Sequence, residues 1–154
     1  MILRVEPVSC AAASPVSLLH QICFPEDPWD PDAVAQIIRM PGFIGRVGWK
    51  EDLAVGFLLA LHLANETEIL SLGVVPGHRR SGVGSALLDA LSLEAARRAG
   101  ASVVLEVAVD NAAARSLYAA SGFTVVGYRR NYYRRAGRSI DGLILRRALA
   151  TASP

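Results

Sequence analysis

The chain is poor in features that would assign it to several large classes of protein. It has two cysteines in 154 residues, Cys10 and Cys23. Two thiols build no disulfide framework and have no metal-ligand spacing, so a reducing cytoplasm is the expected compartment. His20, His62 and His78 likewise show no metal spacing, and no metal is expected. No apolar run approaches the roughly 18–20 residues that cross a bilayer, and Met1-Ile2-Leu3-Arg4-Val5-Glu6 reads as a strand rather than a signal peptide. No membrane association is expected. Charge of one sign is also lacking: the net charge is +2, which argues against direct nucleic-acid binding across the surface. There is no internal repeat and no linker.

Hydrophobic residues make up 52% and charged residues 19%, the balance of a globular chain, and the length suits one domain over 1–154. The elements are mixed. Residues 2–8 read as a strand. Ser14-Pro15 opens a helix with Ser14 as N-cap, placing Val16, Leu19 and Cys23 on one face. Phe24-Pro25-Glu26-Asp27-Pro28-Trp29 is a proline-rich loop, and Asp30-Pro31 opens a second helix that ends before Pro41-Gly42. Residues 43–49 and 53–63 form a hairpin around Lys50-Glu51-Asp52, and 68–75 adds a third strand. A helix over 82–99 carries Val83, Leu87, Leu91 and Ala95 on one face, closed by Gly100. Residues 102–109 read as a strand buried on both faces, 111–120 as a short helix capped by Asp110 or Asn111, and 123–128 and 143–149 as strands. Between those last two lies an arginine-rich hairpin over 129–141.

Arg79-Arg80-Ser81-Gly82-Val83-Gly84-Ser85 joins a strand to a helix. Gly82 and Gly84 let a ligand approach the backbone, while the first helical turn aims free N–H groups and the positive dipole end at the same point. The combination is an anion site, most often for phosphate. An ordinary strand-to-helix turn is the plain alternative. A dinucleotide fold would want a third glycine that this loop lacks. Glu106 interrupts the apolar run 103–109, where a carboxylate costs free energy unless it is paired, functional or turned to solvent.

Downstream, Asn111-Ala112-Ala113-Ala114-Arg115-Ser116-Leu117-Tyr118-Ala119-Ala120-Ser121-Gly122-Phe123 completes a pattern with Arg79-x-x-Gly82-x-Gly84. Together these blocks resemble the GNAT superfamily of N-acetyltransferases. Within it, Glu106 and Arg129-Arg130-Asn131-Tyr132-Tyr133 make the chain most similar to the ribosomal-protein-alanine N-acetyltransferases of the RimI type. The resemblance runs from Phe24 onward. It implies an α/β (α+β) GNAT fold: a mixed, mostly antiparallel sheet of about six to seven strands, splayed at its centre and flanked by about four helices. It also implies acetyl-CoA as the donor and an amine as the acceptor.

Several residue roles follow from the resemblance. Arg79, Arg80, Ser81, Gly82, Val83, Gly84 and Ser85 would cradle the pyrophosphate of coenzyme A. Leu72, Gly73 and Val74 would hydrogen-bond its pantetheine arm through their backbone. Gly73, a glycine inside a strand, fits a bulge or a close backbone approach. Glu106 would be the base and Tyr118 the acid that protonates the departing thiolate; a packing tyrosine is the alternative. Asn111 would touch the cofactor or only cap its helix. Phe24 and Trp29 would border the acceptor groove, with Tyr132 or Tyr133 closing it from the other side. The family commonly runs Phe-Pro-Trp, so Glu26-Asp27-Pro28 is this chain's own addition to the groove. Arg129, Arg130, Arg134, Arg135 and Arg138 would face an acidic peptide, ribosomal RNA, the cofactor phosphates or plain solvent.

The expected reaction is direct transfer, with neither cysteine in the motif region. The expected acceptor is the N-terminal α-amine of a protein, alanine first, such as a ribosomal protein. A small-molecule amine acetyltransferase and a non-catalytic acetyl-CoA-binding module are the alternatives. The expected state is a monomer or weak dimer.

Overall fold

The computed structural model describes residues 2–150; Met1 and residues 151–154, the ends of the expected domain, lie outside that range. One mixed sheet runs β1-β2-β3-β4-β5-β7-β6, built from β1 (Leu3–Pro7), β2 (Phe43–Lys50), β3 (Leu53–Leu63), β4 (Glu66–Val74), β5 (Ser102–Ala108), β6 (Thr124–Arg135) and β7 (Arg138–Ala148). Every neighbouring pair is antiparallel except β4 and β5. Helices α1 (Ala13–Cys23) and α2 (Pro31–Ile38) cover one face, and α3 (Val83–Arg97) and α4 (Ala112–Ala120) cover the other. This is the mixed sheet with four flanking helices that the GNAT resemblance implies.

The centre of the sheet carries the functional geometry. β4 and β5 pair only over Glu66–Glu68 and Ser102–Val104, although β4 continues to Val74 and β5 to Ala108. Beyond that short parallel ladder the strands diverge. Ala101 N–H donates to Asn65 O at 2.6 Å and Leu149 N–H to Ala101 O at 2.8 Å, which ties the closed end together. On the open side, Val75 N–H donates to Val55 O at 2.9 Å. The alternation of an antiparallel ladder therefore turns the backbone groups of Leu72 and Val74 away from β3 and into the gap.

The helices form where the sequence places their apolar stripes and caps. Val83, Leu87, Leu91 and Ala95 are all buried along one face of α3. Asp30 caps α2 by accepting the Ala33 N–H at 2.8 Å, with Pro31 at the first helical position. Two ends differ from expectation. Ser14 lies inside α1, which starts after Ala12 with no side-chain cap. At the far end of α3 it is Ala99, not Gly100, that adopts the left-handed conformation (φ 59°), while Gly100 N–H returns to Ala95 O at 2.8 Å.

The last hairpin differs more. β6 and β7 continue through the arginine-rich stretch, interrupted by a bulge between Arg129 and Tyr133 with Asn131 at φ 57°, and turn at Ala136-Gly137, both at positive φ. β6 is an edge strand with most residues exposed, so its outer half needs no apolar alternation and its arginines blunt the edge.

Candidate active site

The glycine loop opens the donor side. After β4 the chain makes a single 3-10 turn at Pro76–His78; Arg80 (φ 61°) and Gly82 (φ 87°) then take left-handed conformations before α3 begins. Gly82 is the N-cap of α3 and no side chain caps it. Ala86 N–H is the first to bond within the helix, to Gly82 O at 3.0 Å, so the Val83, Gly84 and Ser85 N–H groups have no helical partner. The first turn of α3 contains no acidic residue.

Lys50, which the sequence reading passed over, joins this loop from the end of β2: its Nζ donates to Ser81 Oγ at 3.1 Å, while Ser81 Oγ donates to His78 O at 2.5 Å. Arg79 Nε donates to Val74 O at 3.0 Å, so one arginine of the loop spans to the rim of the gap. Uncapped N–H groups with the Lys50 and Arg79 cations beside them fit a pyrophosphate. The outward-turned backbone of Leu72 and Val74 fits an extended amide arm laid beside β4.

The two glycines of the loop serve different ends. An added Cβ at Gly82 meets nothing within 4 Å, so its positive φ alone calls for glycine. An added Cβ at Gly84 lies 2.8 Å from Leu117 Cδ2; Gly84 is buried and lets α4 pack against α3. Packing against Leu117 is thus a demand for glycine at position 84 that stands beside the ligand approach expected from the sequence. Gly73 carries a similar packing demand. Its Cβ would meet Phe57 at 2.7 Å and Cys23 at 2.9 Å, so close side chains require the glycine. The β4 bulge falls instead where Leu59 pairs with Ser71 and Ala60 with Ile69. Val83 is buried in the core, which leaves only its backbone for a ligand.

On β5, Leu105 and Val107 pack into the core beneath α3, so alternation sends Glu106 to the opposite face. Glu106 is partly buried, and Arg129 Nε lies 2.9 Å from its Oε1. It is therefore neither a solvent-facing residue nor an unpaired buried charge. Tyr118 on α4 is buried edge-on to Phe123, with ring centroids 5.6 Å apart. Burial, with a smaller effect from the nearby Tyr133 phenol, pushes its pKa up to about 12. Tyr133 is itself raised, first by burial and then by Glu106 and Tyr132. Tyr133 thus lies within electrostatic reach of both Glu106 and Tyr118. Asn111 caps α4, its Oδ1 accepting the Ala114 N–H at 3.2 Å, which leaves its amide N–H₂ free of that bond.

A cavity of about 710 Å³ lies between the proline-rich loop and the late hairpin. Phe24, Pro25, Glu26, Asp27 and Trp29 form one wall, and Tyr133, Arg134 and Arg135 form the other. Tyr132 is not part of the lining; it sits outside, half-exposed, with the Arg129 guanidinium 4.8 Å above its ring. Arg135 is held by Asp110 at 2.6 Å.

His20 and Cys23 floor the cavity from α1. Cys23 therefore lies against Gly73 despite its distance from the motif in sequence, which corrects the expectation for the cysteines. Burial pushes the Cys23 thiol up, offset in part by Arg79, and keeps it protonated and a poor nucleophile. One signal could have marked His20: it is a polar residue four positions after Val16 on the buried face of α1.

A mixed sheet splayed between β4 and β5, with a glycine loop opening α3, is the arrangement that the GNAT resemblance implies. The chain belongs to the acetyltransferase (GNAT) family, which it matches over residues 16–123. It is an N-acetyltransferase, and the similarly folded yncA of Salmonella typhimurium (TM-score 0.80, 20% identity, 99% of this chain and 96% of that one) was solved with acetyl-CoA. The chain is 36% identical to the N-alpha-acetyltransferase RimI of Mycobacterium tuberculosis over 151 residues, covering 94% of this chain and 87% of that one. It is also 36% identical to the ribosomal protein bS18-alanine N-acetyltransferase of Escherichia coli over 89 residues, 58% of this chain and 60% of the relative. The crystal structure of the Escherichia coli ribosomal-protein-S18-alanine N-acetyltransferase superposes with a TM-score of 0.89 at 24% identity, over 99% of this chain and 97% of that one.

Proposed function

We propose that this chain, as one acetyltransferase domain, acetylates the N-terminal α-amine of a protein, alanine first, with a ribosomal protein as the acceptor. The observation that carries this reading is the cavity of about 710 Å³ between the Phe24–Trp29 loop and Tyr133, roomy enough for the first residues of a peptide. The likeness to the two curated N-terminal acetyltransferases supports it.

The donor supplies an activated acetyl thioester. The chain's residues do the rest. The loop from Arg79 to Ser85 and Lys50 hold the phosphates, and the Leu72–Val74 backbone aligns the arm along the gap. An α-amine has a pKa near about 7.7–8.0, so the acceptor needs only modest help to lose its proton. Glu106, steadied by Arg129, takes that proton first and frees the nitrogen lone pair; the nitrogen then bonds to the acetyl carbon as the carbon–sulfur bond breaks, and the second nitrogen proton passes to the departing sulfur, which leaves as the thiol. Tyr118 stays protonated throughout the neutral range and faces the leaving sulfur as a donor. With its pKa at about 12 against roughly 8.5 for a thiol, complete transfer runs uphill. Its contribution is a hydrogen bond that offsets the developing thiolate charge.

Thiol release measured against peptides bearing free N-terminal Ala, Ser or Met, Lys-bearing peptides and small amines tests the assignment. Turnover confined to small amines refutes it.

A further inference from the structure

His20 is 3% exposed yet lines the cavity. Its Nδ1 accepts the Trp29 backbone N–H at 3.0 Å, and the Trp29 indole stacks on the imidazole with centroids 4.5 Å apart and planes 14° apart. Ser17 Oγ donates to the Trp29 carbonyl at 2.7 Å, so both backbone groups of Trp29 are fixed against α1. A ring nitrogen that accepts carries no proton, so the neutral imidazole holds its hydrogen on Nε2. Burial keeps His20 below its ordinary value, opposed by Asp27, and the neutral form therefore prevails at pH 7.

Nε2 has no hydrogen-bond partner among the described residues. Nor is it sealed off: among those residues Arg147 Nη1 alone is both buried and unpaired. The Nε2–H is therefore unspent and not fully buried, on a residue that lines the cavity. In this tautomer His20 cannot act as a base, since Nε2 already carries a proton and Nδ1 is committed to Trp29. A lone N–H donor cannot hold an ammonium either, because an ammonium offers only donors. It requires an acceptor oxygen. The charged groups facing it are Glu26 and Asp27 on the loop, and Arg134 and Arg135 on the hairpin, with Arg135 already paired to Asp110.

We propose that the His20 Nε2–H donates to a carbonyl oxygen of the acceptor, selecting amines whose α-carbon carries an amide, as a peptide N-terminus does, over simple alkylamines. The proposal rests on reading the cavity as the acceptor groove. It makes His20 a specificity-determining residue rather than a structural one.

The test compares the wild type, His20→Phe and His20→Gln on a matched pair of acceptors at saturating acetyl-CoA: an N-terminal alanyl peptide, and isopropylamine, which lacks the carbonyl. His20→Phe is expected to raise KM for the peptide about tenfold while leaving KM for isopropylamine and Kd for acetyl-CoA unchanged. His20→Gln, whose amide can accept from Trp29 and donate to the acceptor, is expected to recover most of that loss. Equal losses on both acceptors, or none, overturn the proposal. If the wild type ignores the peptide but acetylates alaninamide, the protein-acceptor reading fails, and alaninamide against isopropylamine then decides the role of His20. In case the Phe variant does not fold, the wild-type His20 Nε2–H proton resonance gives a second readout. It should shift on adding the carbonyl-bearing acceptor and stay put with isopropylamine; no shift with either refutes the proposal.

Discussion

Arg129 and Glu106 meet at 2.9 Å from strands that are not neighbours, β6 and β5, reaching past β7. The same guanidinium lies 4.8 Å over the Tyr132 ring. Part of the arginine-rich hairpin is thereby committed to the site. With Arg129 half-exposed, the pair contributes about 0–1 kcal/mol to stability. Arg129→Met should therefore leave the melting temperature almost unchanged while lowering kcat/KM by about tenfold through a loosened Glu106. Glu106→Gln should lower kcat by about 10²–10³-fold with acetyl-CoA affinity intact. Circular dichroism melts and thiol release check both, and full activity in Glu106→Gln removes it from the mechanism.

Tyr118→Phe keeps the edge-on packing against Phe123 and deletes only the hydroxyl. Turnover should fall by about 10²-fold while calorimetry shows unaltered acetyl-CoA binding. With its pKa pushed up to about 12, Tyr118 does not ionise below pH 10. An alkaline fall in wild-type activity between pH 8 and 10 must come from another group and should persist in Tyr118→Phe.

Gly82 and Gly84 should separate cleanly. Gly82→Ala meets no atom within 4 Å but is strained at φ 87°, a cost of about 1–2 kcal/mol, and it should weaken acetyl-CoA binding by disturbing the loop. Gly84→Ala collides with Leu117 and should destabilise by about 1–3 kcal/mol. Leu117→Ala in the same chain should recover part of that loss, a coupling that a double-mutant cycle measures.

Stability should depend on pH through His20. Its folded pKa lies below the ordinary 6.5, chiefly because burial disfavours the charged ring. The fold therefore prefers the neutral form. That stabilisation is fully present above pH 6.5 and is lost as pH falls through 6.5 toward the lower folded value. Protonation also turns Nδ1 into a donor against the Trp29 N–H. Melting temperatures from pH 7.5 to 5.0 should fall less steeply in His20→Gln than in the wild type.

Local signals in the sequence carried much of the fold. The buried stripe of α3, the Asp30 cap and the strand–glycine–helix junction each depend on residues a few positions apart. Relationships across the chain were hidden. Leu117 sets the need for glycine at position 84, and Phe57 with Cys23 sets it at 73. Lys50 reaches the anion loop only because β2 ends beside it. The arginine run hid two long strands because an exposed edge shows no alternation. His20 showed in sequence only its lack of metal spacing, because its tie to Trp29 forms only once the loop folds back on α1.

The most direct test of the acceptor is mass spectrometry of a peptide with a free N-terminal alanine and an internal lysine, incubated with acetyl-CoA and the full chain. A single acetyl group on the alanine α-amine is expected, with none on an Nα-blocked copy. Acetylation of the lysine alone, or of neither peptide while small amines react, would contradict it.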